Sequence, residues 1–261
     1  MRKKILTLLT DFGLEDVYVG VMKGAIATIN PDIYVVDLTH EIPPQNIAAA
    51  RFCLLNAYAY FPENTVHVAV DDHGVGSKRR GVSIKYDRCY LLGSDNGLFS
   101  GVLAKSPAIA AVELTNPDYW RVPNPSNTFH GRDIFAPVGA HLANGVSLQQ
   151  LGKAIAPDSL IQLPLTELEI SATEIIGCIQ YIDRFGNLIT NIPAEAIEGK
   201  SWSVIVKERE ISCGKTYSDV EVGEIIALVG SHNWLEIAVR NGNAKEKLQI
   251  DWGEKVIIKI S

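Results

Sequence analysis

The chain lacks any apolar run long enough to cross a membrane. Within its 261 residues, apolar stretches stay strand-sized, against the ~18 residues a spanning helix needs. It is poor in cysteine. The four thiols, Cys53, Cys89, Cys178 and Cys213, are scattered with no CxxC pair. That pattern excludes a disulfide scaffold and a zinc knot, and it implies free thiols in a reducing cytoplasm. Basic clusters are also missing. Lys and Arg number 24 against 30 Asp and Glu, for a net charge of −6, and Lys78-Arg79-Arg80 is the only basic triplet beyond the Arg2-Lys3-Lys4 start. This speaks against a nucleic-acid partner. No GxGxxG or GxxxxGK[ST] occurs. Gly74-Val75-Gly76 is followed by Ser-Lys-Arg, so a dinucleotide or triphosphate cradle is poorly supported.

What is present is ordinary for a folded protein: 47% hydrophobic and 21% charged residues. That composition argues against disorder. Met1 to Thr10 begins like a leader peptide, but threonines interrupt its apolar stretch and Asp11 ends it. A first strand is the better reading.

Residues 5–10, 33–38, 66–70 and 89–93 are short β-branched or leucine-rich runs. Continuous runs of this kind suit strands covered on both faces of a parallel sheet. Helical patterns lie between them. Asp16 is placed to cap a helix ending before Pro31, with Gly20 and Gly24 forming a small-residue stripe suited to close approach to a sheet. Residues 44–60 have helical spacing. Another helix is expected from Asp133 to Asn144, with Pro137 early in it and Gly145 as its stop. Strand–helix alternation predicts an α/β domain with a mostly parallel sheet over residues 1–165. Residues 153–168 have no clear period and read as a linker. Short strands then follow at 171–182, 201–206, 225–229, 235–239 and 254–260, separated by turn signals. They predict a smaller all-β domain over residues 166–261, a barrel or sandwich.

Ligands of an α/β sheet bind at the C-terminal ends of its strands. Polar segments collect there: Thr10-Asp11-Phe12-Gly13, Thr39-His40-Glu41, the stretch from Asp71 to Arg80, and Ser94-Asp95-Asn96-Gly97. Asn127-Thr128-Phe129-His130-Gly131-Arg132-Asp133 leads into a helix. Asp11 reads either as a turn residue or as an acceptor for both hydroxyls of a ribose. Asp72, Arg79 and His130 could form a polar cluster, with Arg79 balancing Asp72 and His130 holding or passing a proton. The bland alternative is a surface ion pair and a loop histidine. Asp71, Asp72, His73 and His130 are also metal-ligand types, but no HExxH-type spacing supports them and neighbours on a strand point to opposite faces. In the second domain Asp183 and Asn187 flank Phe185-Gly186, either as a bare turn or as an anion and an amide offered to a ligand. Ser231-His232-Asn233-Trp234 is another turn of the same two readings.

Taken together the segments resemble the S-adenosyl-L-methionine (SAM) hydroxide adenosyltransferases, the adenosine-forming SAM hydrolases related to fluorinase and chlorinase. The matching motifs are Leu9-Thr10-Asp11-Phe12-Gly13, Gly74-Val75-Gly76 with Arg79-Arg80, Asp95-Asn96-Gly97-Leu98, Thr128 to Pro137, Ile182-Asp183 with Phe185-Gly186-Asn187 and Thr190-Asn191, and Arg240-Asn241-Gly242-Asn243-Ala244. Each is short, but their order and spacing span nearly the whole chain. The resemblance implies a catalytic triad of Asp72, Arg79 and His130. It implies ribose binding by Asp11, and binding of the methionine amino group and adenine by Asp183 and Asn187. Ser231 would anchor the carboxylate, and the backbone around Asn243 and Ala244 would lie near the adenine. It further implies no metal and no cofactor, SAM being the substrate, and a homotrimer with sites between the N-terminal domain of one subunit and the C-terminal domain of the next. One departure stands out: the family pattern has an apolar residue and a proline where this chain has Asp71 and His73. The expected reaction is attack of water on ribose C5′ of SAM. The competing readings are a metal-dependent nucleotide hydrolase built on Asp71, His73 and His130, a non-catalytic SAM- or adenosine-binding protein, and a 5′-halogenase.

Overall fold

The computed structural model describes residues 4–164 and 166–260. It divides into two compact units, one ending at Leu163 and the other starting at Pro164. The boundary expected at 165 falls on a residue outside those described.

The first unit is built on a seven-stranded sheet of order β2-β1-β3-β5-β4-β6-β7. Its strands are β1 (Ile5–Thr10), β2 (Tyr34–Thr39), β3 (Thr65–Val70), β4 (Gly81–Tyr86), β5 (Cys89–Ser94), β6 (Ala110–Glu113) and β7 (Lys153–Ile155). β2, β1, β3 and β5 pair in parallel, while β4 and β7 run against their neighbours. Most strands therefore share one direction, as the apolar runs predicted. The sequence reading missed β4, β6 and β7. β4 alternates exposed and buried positions near one end, and β7 is a three-residue piece inside the stretch read as linker.

Helices α1 (Tyr18–Ile29), α2 (Ile47–Ala57), α3 (Ser100–Leu103) and α4 (Ala136–Ala143) surround the sheet. Val19, Met22 and Ile26 form the buried face of α1, the i, i+3, i+7 spacing of an amphipathic helix. Two expectations for this helix need correction. Its N-cap is Val17 without a side-chain bond, not Asp16. Gly20 and Gly24 do not approach the sheet; they are exposed and a Cβ at either would meet nothing within 4 Å. The buried stripe needed bulk, so the small residues took the other face. The helix expected from Asp133 begins earlier, as a π-helical turn over Gly131–Phe135 that runs into α4.

One side of the sheet packs Leu6, Leu8, Val66, Val68 and Val70 against α1 and α4. His67 is fully buried on β3, bonded to Thr7 Oγ1 at 2.8 Å and set edge-on to Phe61. Burial pushes its pKa down to about 4.

The second unit is all-β. Its strands are β8 (Glu169–Ile170), β9 (Glu174–Ile182), β10 (Leu188–Pro193), β11 (Trp202–Val206), β12 (Arg209–Ile211), β13 (Ile225–Val229), β14 (Trp234–Val239) and β15 (Lys255–Ile260). They follow the order β12-β11-β15-β9-β10-β14-β13, with β8 on the side of β9. The two ends of this antiparallel path approach each other. Gly214 N–H donates to Ala227 O at 3.0 Å and Ala227 N–H to Ser212 O at 2.9 Å. The sheet is thus a nearly closed barrel around Ile175, Ile179, Leu188, Leu235, Ile237 and Val256. Closure pairs strand edges that would otherwise be open. β10 and β12 were not anticipated, nor was the short helix α5 (Ala244–Leu248).

Candidate active site

β3 ends at Val70, and the chain then turns twice before β4. Gly76 makes the second turn possible, with φ +75° and only 2.6 Å between a Cβ placed there and Asn127 O. Any side chain would be strained at that φ and would collide with backbone. The close approach brings the loop after β3 against the segment that precedes His130.

In that loop Arg79 grips Asp72 with both arms of its guanidinium. Nε donates to Oδ1 at 2.7 Å and Nη2 donates to Oδ2. Nη2 also donates to His130 Nδ1 at 2.8 Å. Both members of the ion pair are largely buried, the Arg79 and Asp72 side chains being 11% and 6% exposed. The Arg79 guanidinium lies 5.2 Å from the Phe135 ring centre, and the same ring stands edge-on to His130. Asp72, Arg79 and His130 therefore form one hydrogen-bonded chain.

The direction of these bonds fixes the histidine's state. Arginine has no acceptor, so His130 Nδ1 must accept and carries no proton. The neutral ring then holds its hydrogen on Nε2. Burial, reinforced by the Arg79 charge, lowers the His130 pKa, with Asp72 and Asp133 pulling the other way. Geometry and electrostatics agree on a neutral imidazole.

Asp133 secures the segment carrying His130. Its buried carboxylate accepts from Arg121 Nε at 2.5 Å, from Arg132 Nε and Nη2 at 2.7 Å each, and from Ser126 N–H at 2.9 Å. The Arg132 bonds lead in holding its pKa well below the usual carboxylate range. Asp133→Ala is expected to lower stability by roughly 1–3 kcal/mol, the range for stranding a buried hydrogen-bond partner. A urea melt checks the stability, and an unchanged midpoint would contradict this account of the loop.

A cleft of about 400 Å³ opens beside the chain, lined by Phe12, Tyr18, Val70, Asp72, Val75 and Phe129 among others. Phe12, Tyr18 and Phe129 meet as an aromatic wall, with ring centres 5.3–5.9 Å apart. Such rings suit a flat apolar ligand or a cation. Phe12 and Phe129 lie inside sequence motifs, but nothing in the sequence alone assigns them a role. Tyr18 was missed altogether, since rings over a hundred residues apart carry no mutual spacing signal.

Asp11 stands at the end of β1, half-buried, its Oδ2 accepting from Gln45 N–H at 3.1 Å. Asp95 is structural. It takes Arg80 at 2.5 and 2.9 Å and Ile161 N–H at 2.9 Å, pinning the 156–161 segment. The proposed metal ligands do not assemble: Asp71 is fully buried, His73 is exposed, and His130 is engaged by Arg79. Among the described residues no group of three or more His, Cys, Asp or Glu could hold a metal ion.

In the second unit the turn between β9 and β10 is self-bonded. Asp183 Oδ1 accepts from Phe185 N–H and Asn187 N–H at 2.9 Å each, and Oδ2 from Asn187 Nδ2 at 2.9 Å. Gly186 has φ +81°, and its missing Cβ leaves room for Asn243. Asn243 caps α5 by accepting from Glu246 N–H at 3.0 Å, and Ala244 is buried behind it. Asp183, Asn187, Asn243 and Ala244 thus gather at one end of the barrel. Ser231 does not join them. It is exposed at the start of β14, while Asn243 follows that strand's other end. Six strand residues separate them, roughly 20 Å at ~3.3 Å per residue.

An α/β unit with a polar triad at its strand ends, followed by a small barrel, defines a class of small-molecule enzyme. The SAM hydroxide adenosyltransferase N-terminal domain matches residues 6–152 and the corresponding C-terminal domain matches residues 177–257. The chain belongs to the SAM hydroxide adenosyltransferase family. It is 38% identical over 258 residues to an (R)-S-adenosyl-L-methionine hydrolase of Thermus thermophilus, covering 95% of this chain and 96% of that protein. A protein of the same description from Methanocaldococcus jannaschii is 36% identical, with 97% and 95% covered. A fluorinase of Nocardia brasiliensis is more distant, at 24% identity with 99% and 98% covered. An uncharacterized conserved protein from Thermotoga maritima has a similar structure, with TM-score 0.90, 35% identity, and 97% and 99% of the two chains covered.

Proposed function

We propose that this protein hydrolyses SAM to adenosine and L-methionine. Water or hydroxide attacks ribose C5′, a C5′–O bond forms, and the C5′–S bond breaks with its electron pair passing to sulfur. Methionine leaves as a neutral thioether, so the leaving group needs no acid. The observation that carries this reading is the hydrogen-bonded chain Asp72–Arg79–His130 at the lip of an aromatic cleft.

The chemical difficulty is the nucleophile, since bulk water has a pKa of about 15.7. Asp72 is the acceptor for its proton, because each oxygen keeps a further lone pair beyond its Arg79 bond. His130 Nε2–H donates and fixes the water's orientation, while Arg79 holds both partners and offsets developing negative charge. Holding that oxygen in line behind C5′ supplies the rest of the acceleration. The relatives named as hydrolases support water rather than halide as the nucleophile.

Asp11 takes the ribose hydroxyls in this reading, and Asp183, Asn187 and the backbone at Asn243 and Ala244 bind the rest of the substrate, without Ser231, which lies beyond the other end of β14. No cofactor is required. A cytoplasmic homotrimer is part of the proposal. The exposed apolar set Leu14, Val17, Tyr18 and Val21 around the start of α1 supports a contact between copies within it. Sedimentation velocity measures the assembly.

Purified protein incubated with SAM should release adenosine and methionine in equal amounts by chromatography, unchanged by EDTA or chloride. A 5′-halo-adenosine, or activity lost to EDTA and restored by a divalent ion, would overturn the reading.

A further inference from the structure

Asp71 has no part in the chain just described, and its surroundings are unusual. It follows β3 directly and is fully buried. Val70 and Asp72 line the aromatic cleft, and Asp71, between them, is not part of that lining. Both of its carboxyl oxygens are buried with no hydrogen-bond partner among the described residues. Its backbone is held, since Asn96 Nδ2 donates to Asp71 O at 2.7 Å.

The charges around it are of one sign. Asp11 at the end of β1 and Asp72, its neighbour in the chain, both act on it, and among the described residues no cation offsets them. Arg79 is committed to Asp72, and Arg80 on the β5 side is committed to Asp95. Arg51 of α2 donates to Ser100 Oγ. His40 at the end of β2 is bonded to Thr10. Burial first, then the Asp11 and Asp72 charges, push the Asp71 pKa up to about 7.

We propose that Asp71 is a positioning residue whose buried carboxyl sets the negative charge that the ends of β1 and β3 present, and so favours a cationic adenosyl sulfonium over the neutral nucleoside. This rests on the reading of the site as one for SAM. With Asp71 protonated, Asp11, Asp72 and Arg79 sum to one negative charge. With Asp71 ionised they sum to two. SAM carries a net positive charge at neutral pH, whereas adenosine carries none. Linkage is reciprocal: a bound cation that lowers the Asp71 pKa by one unit is itself bound tenfold more tightly by the ionised form.

The test compares wild type with Asp71→Asn and Asp71→Val from pH 5.5 to 8.5. It measures KM for SAM and the inhibition constant of adenosine. Titrations of SAM itself are common to all three proteins and cancel. Wild type should gain affinity for SAM as pH rises through about 7, and both variants should lack that step. By pH 8 their KM should exceed that of wild type by about threefold to tenfold, with the adenosine constant unchanged. Either variant serves if the other folds poorly. Superimposed KM profiles, or adenosine constants that shift in parallel with KM, overturn the proposal. If wild type binds SAM without turning it over, the hydrolase reading fails alone, and calorimetric Kd values for SAM and adenosine test Asp71 in the same way. Absence of SAM binding overturns both.

Discussion

Asp72→Asn is expected to lower kcat for SAM hydrolysis by roughly 10²–10⁴-fold, the usual contribution of a positioned proton acceptor. The substitution keeps the shape of the side chain and removes its charge. Arg79 then loses the partner that holds it bidentately, and the water loses its acceptor. The KM should change far less, because the loss falls on an interaction made in the transition state. His130→Gln should cost less, since Nδ1 is taken up accepting from Arg79 and the ring has only its Nε2–H to offer the water, as a donor and not a base. Initial rates by nucleoside chromatography give both numbers. Equal kcat for wild type and Asp72→Asn would remove Asp72 from the mechanism. A larger loss at His130 than at Asp72 would make the histidine the base.

The second large effect is on stability in acid. The folded protein keeps His67 neutral down to about pH 4, whereas an unfolded histidine takes its proton near 6.5. Between those values the unfolded chain binds more protons, so stability falls as pH drops from 6.5 to 4. The full loss below pH 4 is about 3 kcal/mol, at 1.36 kcal/mol per pKa unit. Asp71 works in the opposite sense. Its folded pKa of about 7 lies above the ordinary 3.8, so the folded state binds more protons over that range. Its contribution is present at low pH and is lost as pH rises through about 7. In wild type the two slopes oppose one another between pH 4 and 6.5. Asp71→Asn should expose the histidine's slope, and His67→Gln should expose the aspartate's. Urea denaturation at pH 4.5, 6.5 and 8 measures both. A wild-type slope that neither substitution alters would show that the buried pair does not set the pH response.

Much of the first unit was legible in the sequence because its central strands are buried on both faces. Leu6, Leu8 and Leu9 are fully buried and form part of a continuous apolar run. β4, β6 and β7 escaped notice because they are short or mixed in pattern. The barrel was recognised by its turns, yet β10 was missed, since Leu188–Pro193 carries Thr190 and Asn191 among its apolar residues. Their polar side chains are bonded internally: Thr190 Oγ1 donates to Leu235 O, and Asn191 Oδ1 accepts from Cys178 N–H. A buried polar residue with its partners supplied looks, in sequence, like a surface one.

The sequence by itself determined which residue types stand at the strand ends, their order, and their match to one family of enzymes. It pointed to Asp72 as the carboxylate that goes with Arg79, but only the folded turn after β3 brings those two side chains together and leaves Asp71 buried without a partner. That turn depends on Gly76 lying against Asn127, a contact between segments fifty residues apart. The aromatic wall, the neutral state of His130 and the unpaired burial of Asp71 arise in the same way. Each depends on which distant side chains share a small volume, and the tertiary packing alone sets that.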